Sequence, residues 1–178
     1  AFLDQMRTGR ITAIGVATGI VVGLVAITPA AGFVSPFSAI LLGAIAAFPS
    51  YFALQWRAKS RLDDSLDVFA AHGVGGMTGA LLTGVFANEA FNGLGANGVL
   101  YGNPGQLVTQ VISIVGVLLY SGIMTFVILK VIGLVTALRP SEREESIGMD
   151  ILNHGEEAYA SSDGTLLLEL GLERCGFV

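Results

Sequence analysis

Four apolar stretches, residues 11 to 27, 36 to 56, 66 to 87 and 106 to 138, come close to or exceed the roughly 20 residues a helix needs to cross a hydrocarbon core of about 30 Å. In lipid each backbone amide must find its partner within its own segment, so stretches of this kind are restricted to spanning helices. The expected fold is therefore an all-α polytopic membrane protein. Residues 1 to 138 form the transmembrane region and 139 to 178 a polar C-terminal tail. Composition excludes an ordinary soluble domain: 53% of residues are apolar and 13% charged, against about 25% charged in soluble chains.

Charge placement gives an orientation. Arg7 and Arg10 precede the first span, Arg57, Lys59 and Arg61 fill the turn between the second and third, and Arg139 and Arg143 follow the fourth. The connections 28 to 35 and 88 to 105 hold no Lys or Arg. Basic residues stay on the cytoplasmic side, so the N-terminus, the 57 to 65 turn and the tail are expected there, in a multi-pass protein of the cell membrane. Most of the acid behind the net charge of −5 lies after Pro140, and no nucleic-acid partner is expected. The single cysteine, Cys175, excludes an internal disulfide framework.

Gly15, Gly19 and Gly23 recur at four-residue spacing in the first span, a smooth face for close helix packing. Pro49 is expected to kink the second span, and Tyr51 and Trp56 suit an aromatic belt near its inner end. The third span holds a histidine. A continuous α-helix would put His72, Gly75, Gly76, Gly79 and Thr83 on one stripe. An ionisable residue within a spanning helix is a functional-site hypothesis; the ring either lines a pathway or makes a structural hydrogen bond. Asp63, Asp64 and Asp67 precede it. Asp64, three residues ahead of Asp67, fits an N-cap with an acid in the first turn, so these acids read as capping rather than as catalytic or metal-ligating groups. No catalytic residue, metal ligand or cofactor is expected. The fourth stretch would make a helix of about 50 Å, long enough to tilt or run beyond the bilayer.

The acidic cluster, the lone His72 and the glycines along its helix resemble the histidine-bearing helix of the ammonium transporter family (Amt, Mep and Rh proteins). The turn Ala26-Ile27-Thr28-Pro29 and the long last helix fit the same family. So does the tail, with Gly148 and Asp150, then His154 and Gly155, then Ala158 and Tyr159. The resemblance covers residues 1 to about 160. It implies an eleven-helix transporter fold, of which this chain matches the last four helices, with a hydrophobic pore in each subunit of a homotrimer. It also implies that His72 is one of two pore histidines, that Val68 and Val21 lie at apolar pore-wall positions, and that Gly148, Asp150, His154, Gly155 and Tyr159 belong to a regulatory tail. The substrate implied is ammonium or ammonia, with the lipid bilayer as surroundings and a PII-type regulator as a cytoplasmic partner; the protein is expected not to be an enzyme. Where the family usually has Gly-Val, this chain has Ala70-Ala71, and Leu152 stands where some plant relatives carry a regulatory threonine. Four helices bury too little surface to close a pore, so the chain reads as part of a larger transporter. Two alternatives are an ammonium sensor signalling through its tail and a structural membrane subunit.

Overall fold

The computed structural model describes residues 1 to 155. The described residues are helical with connecting turns: α1 (Phe2–Thr8), α2 (Ala13–Ile27), α3 (Pro36–Arg57), a π turn (Phe69–Val74) running directly into α4 (Gly75–Phe86), α5 (Gly105–Ile132), α6 (Glu142–Ile147) and α7 (Met149–His154). Four segments are long and apolar enough to cross a membrane: Ala13–Ala30, Pro36–Arg57, Phe69–Phe86 and Gly105–Ile132. Two compact units divide the chain, Ala1–Ser121 and Gly122–Val178.

Local chemistry sets the helix ends. The Thr12 side chain accepts the Gly15 N–H at 3.0 Å to begin α2. A 3-10 turn, Thr28–Ala30, carries that span on past Ile27 with Pro29 inside it. Ser35 caps α3, accepting the Ser38 N–H at 3.0 Å, and Pro36 takes the first position, where a missing N–H costs nothing. α3 then runs unbroken through Pro49 to Arg57.

In the first unit, α2 packs against both α3 and α4. The core is made mostly of small residues around one leucine: Ala26, Ala30, Ala46 and Leu42 are fully buried, with Ile27, Val34 and Leu82 packed on them. The tightest approach of a glycine to a neighbouring backbone is Gly79 against α2, where a Cβ would overlap the Ala26 carbonyl oxygen. Without a hydrophobic drive between helices in lipid, such backbone contact is what holds a pair together.

Three expectations are corrected here. The closest glycine approach to a neighbouring helix backbone is that of Gly79 rather than of the α2 row: a Cβ at Gly19 or Gly23 would touch nothing within 4 Å, one at Gly15 would meet Asp4 and Thr12, and Gly23 enters the packing through its Cα, 4.0 Å from where a Gly43 Cβ of α3 would stand. The fourth helix ends at Ile132 rather than near 138. Gly133 weakens the helix there, and the Leu138 side chain folds back to 3.3 Å from where a Gly133 Cβ would stand. Its 28 residues make about 42 Å, not 50. Tyr51 turns inward rather than joining a belt, with its hydroxyl buried, while Trp56 remains exposed.

In the second unit, Ser141 and Glu144 form a capping box at the start of α6, and Arg139 pairs with Glu145 at 2.7 Å. Gly148, at φ 110°, separates α6 from α7, and Gly155 closes α7 in the left-handed region at φ 68°. These are backbone conformations that glycine adopts without penalty.

Candidate functional site

The site begins where the 57 to 67 turn enters the third span. Asp64 accepts two backbone N–H groups, Val68 at 2.9 Å and Phe69 at 2.8 Å. These bonds hold its carboxyl below the usual carboxylate range, the Phe69 bond contributing most and the Val68 bond next. Asp67 does something else. Its φ is +56°, a left-handed conformation that costs most residues about 1–2 kcal/mol and that Asp tolerates better than most. Its carboxylate pairs with the Arg57 guanidinium at the end of α3. The expected cap followed by an acid in a regular first turn is thus replaced: Asp64 caps across to positions four and five residues on, and Asp67 ties the turn to α3. Asp63 lies exposed beside them.

Immediately after Asp67 the helix is underwound. Residues Phe69–Val74 form a π turn, in which i→i+5 bonding places more residues in each turn than an α-helix holds. Its entry is fixed by Asp64, by the Arg57–Asp67 pair and by the Phe69 ring 5.9 Å from Trp56. Its exit is fixed by Gly75, where a Cβ would lie 3.4 Å from Ser50 Oγ and 3.8 Å from Val22 and Val25. The buried row along this span is Ala71, Gly75, Gly79 and Thr83. His72 is exposed and Gly76 half-buried, so the stripe expected to run through the histidine passes beside it. The π turn is the physical reason, since extra residues per turn swing position 72 further from Gly75 than the about 60° of an α-helix.

His72 stands instead with Val68, four residues earlier and also exposed, on one side of this widened turn. Ala70 and Ala71 are buried on the other. Val21 is 38% exposed on α2, which packs beside the π turn, and its neighbour Val22 is buried. The result is an imidazole displayed among apolar side chains. An imidazole in such a setting can exchange hydrogen bonds or a proton with a small polar solute.

Below the turn lies a cavity of about 290 Å³ whose lining includes Thr18, Ser50, Tyr51, Gln55, Arg57 and Asp67. Ser50 Oγ, Tyr51 OH and Arg57 Nε are buried there without protein partners, a polar and roomy setting of the kind that takes up water. A second, apolar cavity of about 220 Å³ lies between α4 and the first half of α5, lined by Gly76, Met77, Ala80, Ser113, Ile114, Val117 and Leu118. Among the described residues no group of three or more His, Cys, Asp or Glu side chains is placed to hold a metal ion.

Of the tail positions, Asp150 accepts the Ile151 N–H at 3.0 Å in the first turn of α7, His154 lies exposed in its last turn, and Gly148 and Gly155 bracket it. Tyr159, Cys175 and the rest of residues 156 to 178, including the sequence after Ser161 on which the sensor alternative leans, lie outside the described residues. Sequence reasoning missed Arg57 and the π turn. The only signal for the former was a basic and an acidic residue ten positions apart.

Bilayer-length helices, a small-residue core and one displayed histidine define a multi-pass helical membrane protein. A model of the Ammonium Transporter Family matches residues 1 to 159, and the chain belongs to that family. It is 48% identical over 159 residues to an ammonium transporter of Aquifex aeolicus, covering 89% of this chain and 37% of that protein. To one of Bacillus subtilis it is 42% identical over 152 residues, covering 85% and 38%. The crystal structure of Saccharomyces cerevisiae Mep2 matches it with a TM-score of 0.77 at 34% identity, covering 90% of this chain and 38% of that one. Candida albicans Mep2 matches with a TM-score of 0.74 at 33% identity, covering 91% and 37%. The chain thus spans under two fifths of the length of these relatives, and the fold is that of their membrane helices.

Proposed function

We propose that this chain supplies one wall of an ammonium-conducting pore, with His72 as the polar group that meets the solute within an otherwise apolar lining. The observation carrying this reading is the exposure of His72 beside Val68, on the side of the π turn away from the buried Ala71–Gly75–Gly79 row. Membership in the ammonium transporter family supplies the solute. In an apolar passage ammonium is costly and ammonia is not, because burying an unpaired charge carries a large desolvation penalty. A neutral imidazole can accept the hydrogen bond, or the proton, that the solute gives up. Val68 and Val21 are the wall positions in this reading. The opposite wall, trimeric assembly and a PII-type regulator on a cytoplasmic face belong to the same proposal. It also places the α6–α7 tail in the cytoplasm, on the same side as Arg57, Lys59 and Arg61.

The test uses the full-length transporter. His72→Ala should leave its abundance in the membrane unchanged while lowering ammonium or methylammonium uptake at least tenfold. Uptake equal to the parent would return His72 to a structural role.

A further inference from the structure

Between Asp64 and Gly75 the chain is held at both ends, and the residue displayed in the middle is the histidine. At the far end the hold is steric: Gly75 lies against Ser50, Val22 and Val25, and Gly79 against the Ala26 backbone. At the near end it is polar and comes from α3. The Arg57 guanidinium meets the Asp67 carboxylate, with the two side chains 24% and 28% exposed. Asp67 sits at φ +56°, and its carbonyl accepts the Ala71 N–H at 2.9 Å. The residue gripped by Arg57 therefore also makes the α-type i→i+4 bond that leads into the turn carrying His72. One position further back along α3, Trp56 meets Phe69.

A π turn is rare; it persists where anchored ends oblige a segment to accommodate one residue more than α geometry allows. If the near end were released, the turn could relax to α geometry, the more favourable bonding pattern. Position 72 would then swing back toward Gly75 and the row buried against α2. A left-handed residue such as Asp67 likewise persists only where its surroundings over-determine it.

We propose that Arg57 is a positioning residue for His72: its ion pair with the left-handed Asp67 holds the π turn that displays the imidazole. This rests on the pore reading only for its effect on uptake; the effect on the geometry of position 72 is independent of it.

The experiment uses the full-length transporter in a Cys175→Ser background. His72→Cys and, separately, Val21→Cys serve as reporters, read by their rate of modification with a small uncharged thiol reagent. Arg57→Met keeps most of the side-chain stem and removes the charge. Asp67→Asn keeps a residue that tolerates the left-handed region and also removes the pair. Each should slow modification at position 72 at least fivefold and leave position 21 within twofold. Combining the two should be no worse than either alone, because both break one interaction. Arg57→Lys should restore at least half of the parent rate. In the His72 parent, the same two substitutions should lower uptake by a similar factor.

Equal slowing at both reporters would mean a general loss of structure and would overturn the proposal. So would an unchanged rate at position 72 in both variants. Should Arg57→Met fail to reach the membrane, Asp67→Asn alone decides between these outcomes. Altered reactivity at position 72 together with undiminished uptake by His72→Ala would leave the positioning role standing and remove the pore reading.

Discussion

α2 and α4 each carry glycines at four-residue spacing, and the structure treats the two rows differently. Gly75 and Gly79 of α4 are buried against α2 and α3, and Gly79 approaches so closely that the Ala26 carbonyl occupies the place of a side chain. Gly19 and Gly23 of α2 would admit a Cβ without touching anything. The same pattern thus marks close backbone contact along one helix, while in the other Gly19 faces open space and Gly23 offers only its Cα, 4.0 Å from where a Gly43 Cβ would stand. Spacing shows that a helix can be approached closely; which row is used depends on the neighbours that packing brings to it.

Substitution should separate the two rows. Gly79→Ala should have the largest effect, because its obstacle is backbone that cannot rotate away; a cost of about 3 kcal/mol, at the upper end for overpacking, is expected as a lower melting temperature in detergent. Gly19→Ala should act in the opposite direction. With no obstacle and a better helix former, it should stabilise by about 0.5–1 kcal/mol. A loss of stability there in the full-length transporter would mean that another helix closes on this face. Gly75→Ala should be nearly neutral, within about 0.5 kcal/mol in the same melts, since its Cβ would reach ordinary contact with Ser50 Oγ while helix propensity improves.

Smallest is the effect of acid on the second unit. Glu144 is held below its ordinary value by the backbone and then the side chain of Ser141, and Glu145 by its hydrogen bond from Arg139. A lowered folded-state value means that the contribution is present above the ordinary carboxylate range and is lost as pH falls through the lowered value. Amide protection in α6 should therefore be constant from pH 7 to about 5 and decline below about pH 4. Protection in the second half of α4, beyond the Gly79–Ala26 contact and far from the Asp64 and Asp67 carboxylates, should not follow it.

Much of the fold was legible because length and polarity act locally. Pro36 and Ser35 mark the start of α3 whatever packs on it, and a run of apolar residues without charge has few alternatives in lipid. The site was less legible. Nothing in Phe69-Ala70-Ala71-His72-Gly73-Val74 distinguishes a π turn from an α turn, because the cause lies at the two anchored ends and not in the residues between. Asp67 read as a helix-start acid like Asp64; its left-handed backbone and its pairing with Arg57 depend on where α3 ends in space. A stripe drawn with α periodicity consequently passed through His72, and the actual row passes through Ala71. The tight bend of Leu138 over Gly133 was hidden for a similar reason, as hydropathy continues smoothly past the point where the helix stops.

The backbone N–H of Asn88 donates to the Phe33 carbonyl at 2.9 Å, and a Gly98 Cβ would stand 2.6 Å from the Val85 carbonyl oxygen. Phe33 and Asn88 lie on either side of α3 and the whole third span, so their bond closes a long loop and joins parts of the chain made at different times. During synthesis α2 and α3 can pair as a hairpin as soon as both have crossed. The Asn88 bond has to wait until the histidine-bearing span has crossed as well. It works as a late latch: Gly75 and Gly79 join the third span to its neighbours along its length, and the Asn88 bond adds a tie to the α2–α3 connection that a chain stopping before Asn88 does not have.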